Sequence, residues 1–82
     1  MIEVSKRQQK NEKIVAEFWR LFNEVRDDVA KTGNEYTFVS LYTAIADALG
    51  LRPMGVRTAL VRNGLINEWK EWKQSLKLSQ PN

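Results

Sequence analysis

The chain has no cysteine and no histidine among its 82 residues. Without cysteine there is no disulfide bridge, no thiolate metal ligand and no thiol nucleophile. Without histidine the chain lacks the side chain that most often shuttles protons near neutral pH and most often binds metal ions. We therefore expect no enzyme, no cofactor and no metal site, and the sequence indicates no small-molecule substrate.

Long apolar runs are also missing. A helix that spans a bilayer needs about 20 mostly apolar residues, and the sequence holds no such stretch. Its first residues, MIEVSKRQQKNEK, are too polar for the apolar centre of a signal peptide. We therefore expect a cytoplasmic protein with no membrane partner.

The composition is that of a folded domain. Hydrophobic residues make up 43% of the chain and include three tryptophans, which argues against a disordered protein. A length of 82 residues fits one domain with a modest core. We predict a single helical domain over 1–82, with disorder at its ends, residues 1–6 and 78–82.

The positive charge is unevenly distributed. The net charge is +3, yet residues 1–35 carry seven basic and seven acidic side chains, so the whole excess lies in residues 36–82. No acidic residue occurs between Asp47 and Glu68, whereas Arg52, Arg57 and Arg62 all fall within that interval. A segment with three arginines and no carboxylate favours contact with phosphate groups.

Apolar residues recur at helical spacing along most of the chain, which predicts a small all-α domain of four helices. The first helix is predicted from near Ser5 to just before Thr32. The second is predicted to begin after a cap at Ser40, and the last to run over about 67–77. The predicted inward positions are Ile14, Phe18, Leu21, Phe22, Val25 and Val29, then Leu41, Ile45, Ala48 and Leu49, then Leu65, Trp69, Trp72 and Leu76.

A tight turn is predicted inside IADALGLRPMGVRTAL, residues 45–60. Gly50 can adopt the left-handed conformation that ends a helix. Pro53 suits the first turn of the next helix, because its φ is already helical and its missing N–H needs no partner there. Leu51 is expected to be buried between them, and Ala46 is small enough to let the second helix approach closely.

This stretch resembles the helix-turn-helix of bacterial and phage repressors over residues 40–63. The shared frame is an alanine, a glycine four residues later, a hydrophobic residue directly after it and a β-branched residue six after the glycine. These are Ala46, Gly50, Leu51 and Val56, with Ile45 and Leu49 as a further buried pair. The preceding VSLYTAIA is similar to the entry of the lactose-repressor-type headpiece. Gly55 departs from the pattern, since glycine weakens a helix by about 1 kcal/mol relative to alanine.

The resemblance implies a sequence-specific DNA-binding protein, a small transcriptional regulator or recombination accessory factor of bacterial or phage type. The helix at about 53–63 would read the major groove of double-stranded DNA. The implied base contacts are Met54, Arg57 and Thr58, and the implied phosphate contacts are Ser40, Tyr42, Thr43, Arg52 and Arg62. Because one such motif offers few base contacts, we also expect a homodimer, with Trp72 and Leu76 as interface candidates.

Three other interpretations remain open. Met54, Gly55 and Val61 are poor hydrogen-bonding partners for bases, which fits a small helical adaptor or inhibitor that binds another protein and no nucleic acid. The segment ALVRNGLI is similar to the end of a winged-helix recognition helix, but the next segment, NEWKEWKQSLKL, has helical spacing and no turn for a wing. The acidic residues Glu24, Asp27 and Asp28 could be interpreted as a metal site. The favoured interpretation is a solvated helix face on which they pair with Arg20 and Lys31.

Overall fold

Four α-helices make up the regular structure of residues 6–79, the part of the chain that the computed structural model describes, with side chains for residues 9–77. They are α1 (Lys6–Thr32), α2 (Phe38–Leu49), α3 (Pro53–Arg62) and α4 (Leu65–Ser79). No strand occurs within this range, so the predicted small all-α fold is confirmed. The predicted disorder of residues 1–5 and 80–82 lies outside the described residues, whereas residues 6 and 78–79 belong to helices.

Aromatic side chains form the core between α1 and α4. Phe18 and Phe22, four residues apart on α1, are buried, and Phe22 meets both tryptophans of α4. Its ring centroid lies 5.7 Å from that of Trp69 and 5.5 Å from that of Trp72. Phe38, at the start of α2, packs on Trp69 from another side, with ring centroids 6.1 Å apart. These rings join α4 to α1 and to the beginning of α2.

Smaller aliphatic side chains fill the core between α2 and α3. Ile45 of α2 and Val56 and Leu60 of α3 are fully buried. Ala46 is buried as well, in agreement with its predicted role at a close helix contact. The predicted inward position of Ala48 is wrong: Ala48 is exposed, because α3 packs on the side of α2 that carries Ala46.

The cap of α2 also differs from the prediction. Thr37, and not Ser40, is the residue that precedes the helix, with an extended backbone at φ −109° and ψ 158°. The Ser40 N–H donates to Thr37 Oγ1 at 3.0 Å, and the Thr37 N–H donates to Ser40 Oγ at 3.2 Å. This reciprocal pair satisfies two N–H groups that have no backbone partner within the helix. The helix therefore begins three residues earlier, at Phe38.

The turn between α2 and α3 has the predicted geometry. Gly50 adopts φ 67° and ψ 34°, the left-handed conformation, and its N–H donates to the carbonyl of Asp47. The next N–H, of Leu51, donates to the Ala46 carbonyl at 2.8 Å. Pro53 is the first residue of α3, as predicted. Leu51 is only half-buried, so it is less enclosed than expected.

The last helix begins earlier than predicted, at Leu65 and not near residue 67. Gly64 has φ 72° and makes the turn that separates α3 from α4 within two residues. Across the described range, no helix has an apolar stretch of the length that would cross a membrane.

Candidate nucleic-acid interface

The outer face of α3 is open to solvent. Val56 and Leu60, four residues apart, turn the opposite face into the core. The implied base-contact residues Met54, Arg57 and Thr58 are all exposed, Met54 by 63%. The amphipathic period of α3 therefore presents to solvent the side chains that a groove-reading helix would use.

Thr58 is already engaged within its helix. Its hydroxyl donates to the Met54 carbonyl at 2.9 Å, which fixes the side chain on the surface of α3. The hydroxyl proton is thus committed, while the methyl group and the oxygen lone pairs remain available to a partner. A methyl group is the chemistry that meets the methyl of thymine in the major groove.

The three arginines around α3 are exposed and form no ion pair with any described residue. Arg52 precedes the helix, Arg57 lies in its middle and Arg62 ends it. Residues 48–67 contain no carboxylate that could neutralise them locally. Their charge is therefore available to a partner outside the chain.

The beginning of α1 lies against α3 and adds a cation that the sequence did not lead us to expect there. The Asn63 side-chain amide donates to Asn11 Oδ1 at 2.8 Å and to the Ala59 carbonyl at 2.7 Å, which ties the two helices together. Lys10 lines the same cleft as Arg52 and Arg62. A signal for Lys10 existed, since it stands four residues before the buried Ile14 and so lies on the same side of α1.

The implied phosphate contacts on α2 are less uniform. Thr43 is exposed, and Tyr42 is half-buried with its ring centroid 5.6 Å from that of Phe38. The Ser40 hydroxyl donates to the Thr37 carbonyl at 2.7 Å, and Ser40 lines a cleft together with Glu24 and Asp28 of α1. A phosphate there would meet two carboxylates, so the surroundings of Ser40 disfavour that role.

The dimer candidates lie partly inside the fold. Trp72 is half-buried, with its ring centroid 5.1 Å from that of Trp69 and an edge-on contact to Phe22. Leu76 is also half-buried and lines a cavity beside Val29 of α1. Much of the apolar surface of Trp72 is thus used within the chain.

Glu24 and Asp27 form ion pairs with cations of α1, in line with the interpretation as a solvated face. Arg20 pairs with Glu17 and, at 3.0 Å, with Glu24; Lys31 pairs with Asp27 at 2.9 Å. No cluster with the composition of a metal site occurs among the described residues.

Asp28 has partners that the sequence pattern did not indicate. The Tyr36 hydroxyl donates to its Oδ2 at 2.5 Å, and the Asn34 amide donates to the same oxygen at 3.1 Å. The hydrogen bond from Tyr36, supported by that from Asn34, lowers the pKa of Asp28. The same bond to Asp28 raises the pKa of Tyr36. This contact joins the loop before α2 to the last turns of α1.

Comparison with known proteins gives no assignment. The chain matches no protein-family model, no curated protein sequence and no solved structure.

Proposed function

We propose that the protein binds double-stranded DNA and reads the major groove with α3. The observation that carries the proposal is the exposed face of α3, with Arg57 on it and Arg52 and Arg62 at its ends. None of these arginines has an ion-pair partner among the described residues. A helix of this kind, preceded by a second helix and a tight turn, is how helix-turn-helix proteins enter the groove. A role in transcription regulation or in recombination, inside the cytoplasm, would suit such a protein.

Roles follow from position on the helix. Arg57 is the candidate for a bidentate hydrogen bond to guanine, and Met54 and the Thr58 methyl would contact thymine methyl groups. Arg52 and Arg62 stand at the two ends of α3 and would bind phosphates on either side of the groove. Thr43 is exposed at a position suited to a further phosphate contact, with Tyr42 beside it.

The test is selection of bound duplexes from a random pool, followed by fluorescence anisotropy on the preferred sequence and on a scrambled one. Arg57→Ala should weaken binding of the preferred sequence by about 1 to 3 kcal/mol and relax preference at one base pair. Arg62→Ala should weaken both duplexes alike and reduce the salt dependence by roughly one phosphate contact. Equal losses on both duplexes for Arg57→Ala would remove Arg57 from base recognition.

Lys31→Ala is the matched control. It removes the same charge from an exposed residue, but Lys31 is paired with Asp27 at the far end of α1. We expect its affinity for DNA to stay within about twofold of the wild type, since a paired surface cation contributes little to an outside partner. A loss equal to that of Arg62→Ala would mean that only net charge matters.

A second candidate function is supported by the apolar side chains on the same face. Met54 and Val61 are exposed by 63% and 42%, which suits an apolar contact with another protein. Salt separates the two candidates. A DNA complex that neutralises several phosphates weakens steeply between about 50 and 200 mM salt, whereas an apolar protein interface does not.

We further propose that the DNA-binding form is a homodimer. Specific binding requires about 4 to 10 kcal/mol beyond non-specific binding, more than two or three side chains readily supply. Two copies related by a two-fold axis would place their α3 helices about 34 Å apart, one turn of the duplex. Sedimentation velocity at micromolar concentration should show a dimer that Leu76→Asp dissociates. A monomeric wild type contradicts dimerisation, and a dimer unaffected by the variant contradicts an interface at α4.

A further inference from the structure

A cleft of about 530 Å³ lies between the beginning of α1 and α3. Its apolar lining includes Leu51 from the turn and Met54 and Ala59 from α3, with the buried Ile14 and Val56 beneath. Lys10 and Arg62 stand among its lining residues, with Arg52 at the start of α3, and no described acidic residue lines it. The cleft thus combines an apolar surface with three cationic side chains, and its volume is within the range of small-molecule sites.

Gly55 keeps this cleft open. It lies in the first turn of α3 and lines the cleft, and a Cβ atom added there would meet nothing within 4 Å. Packing within the described chain therefore does not require a glycine, although glycine is the least favourable helix residue after proline. Any larger side chain at this position would enter the space that a ligand would occupy.

We propose that the cleft binds an amphipathic anion, a carboxylate with an aliphatic or aromatic body. The body would cover the accessible apolar surface of Leu51, Met54 and Ala59, and removing that surface from water favours binding. The carboxylate would pair with Arg62, which lines the cleft together with Lys10 and has no carboxylate there to neutralise its charge. A free phosphate would use the cations alone and would leave the apolar lining in water.

The site also bears on the proposed function. Arg52 and Arg62, the proposed phosphate contacts, line the cleft, as do Met54 and Thr58 of the proposed base-reading face. An occupied cleft would withdraw these side chains from DNA, so the ligand would release DNA. This regulatory step rests on the proposed function, whereas binding of the anion does not.

Binding is tested by titration of the ¹⁵N-labelled full chain with octanoate, followed by amide chemical shifts. Octan-1-ol and inorganic phosphate serve as matched probes, one without the charge and one without the apolar body. We expect octanoate to shift the amides of Gly50, Gly55 and Ala59, and to bind at least tenfold more tightly than either probe. Equal affinity for octan-1-ol or for phosphate, or shifts outside the cleft, would overturn the proposal.

Two pairs of variants test the site itself. Gly55→Leu should abolish octanoate binding by filling the cleft, while Ser75→Leu, which adds the same side chain at an exposed position of α4, should leave it unchanged. Arg62→Gln should weaken binding about tenfold, the effect of one lost charged hydrogen bond, and Lys70→Gln should not. Thermal melts confirm that each variant folds, and Gly55→Met, whose side chain also reaches into the cleft, replaces Gly55→Leu if that variant does not. Unchanged binding in the folded Gly55 variant overturns the site.

The regulatory step needs a separate measurement. Octanoate should lower the affinity of the wild type for its selected duplex, and the Gly55→Leu variant should be insensitive to it. A duplex that binds equally well with the cleft occupied overturns the competition. If no duplex binds while octanoate does, the proposed function fails and the anion site stands.

Discussion

The α1–α4 half and the α2–α3 half of the molecule use their side chains differently. Where α1 meets α4 the core is aromatic, and four cations of these helices lie over rings or against carboxylates: Arg20, Arg26, Lys31 and Lys73. Arg26 stands 4.5 Å from the centroid of Phe22, and Lys73 stands 5.4 Å from that of Trp69. Where α2 meets α3 the core is aliphatic, and the exposed arginines have no ion-pair partner within the described chain.

This difference indicates which half of the molecule contributes mainly to stability and which half is available to bind a partner. A cation that already has a ring or a carboxylate within its own chain gives up that contact when it binds a partner, so it contributes less to association. The arginines of α3 have no such contact to lose when they bind a partner. We therefore expect variants of the α1–α4 half to change stability, and surface variants of the α2–α3 half to change binding.

The largest expected effect is loss of the aromatic core. Phe22→Ala removes a fully buried ring that contacts both Trp69 and Trp72, and should lower the free energy of unfolding by about 3 to 5 kcal/mol. Urea denaturation followed by circular dichroism measures it. Val39→Ala, at a residue exposed by 57%, is the control and should stay within about 0.5 kcal/mol. A loss below about 1 kcal/mol in Phe22→Ala would show that the two halves do not divide in this way.

The second effect compares two glycines of the α2–α3 half. Gly50→Val should destabilise the fold by about 1 to 3 kcal/mol, because φ is 67° there and a β-branched residue is strained in that conformation. Gly55 has helical backbone and open space around it, so Gly55→Ala should be neutral or should stabilise by up to about 1 kcal/mol. Thermal melts of both variants, compared with that of the wild type, measure these changes in stability. If Gly50→Val melts with the wild type, the turn does not depend on that conformation.

The sequence predicted those parts of the fold that local rules control. The four helices follow from apolar spacing, and the turn at Gly50 and Pro53 follows from backbone preferences that no distant residue changes. The cap of α2 was placed wrongly because both Thr37 and Ser40 carry a hydroxyl that can cap a helix. Only the reciprocal hydrogen bonds between them show which residue precedes the first turn.

The candidate site, like the fold, was predictable only where local rules control it. Exposure of Met54, Arg57 and Thr58 was predictable, since the period of α3 turns Val56 and Leu60 inward. The neighbours of α3 were predictable only in part. The spacing from Ile14 puts Lys10 on the inward side of α1, but that this side meets α3 follows only from packing between residues more than 40 positions apart. The carboxylates around Ser40 likewise come from α1. DNA binding itself stays a prediction.

The smallest expected effect concerns the loop that joins the two halves, where the Tyr36 hydroxyl donates to Asp28. That bond lowers the pKa of Asp28 in the folded chain below its ordinary value of 3.8. A carboxyl with a lowered pKa contributes stability that is complete above its unfolded pKa and is lost as the pH falls through the folded one. It also raises the pKa of Tyr36 above 10.0, so the contribution of Tyr36 is complete below that pH and is lost as the pH rises further.

Tyr36→Phe therefore has a pH signature that a simple packing change would not produce. At neutral pH the wild type should melt at a higher temperature than Tyr36→Phe, and the gap should narrow as the pH falls from about 3.8 through the lowered pKa of Asp28 in the folded wild type. Tyr42→Phe is the control, since the Tyr42 hydroxyl makes no hydrogen bond to a described residue. A gap that stays constant from neutral to acidic pH would assign the effect of Tyr36 to packing of its ring, because only the ionised Asp28 gives the hydrogen bond its pH dependence.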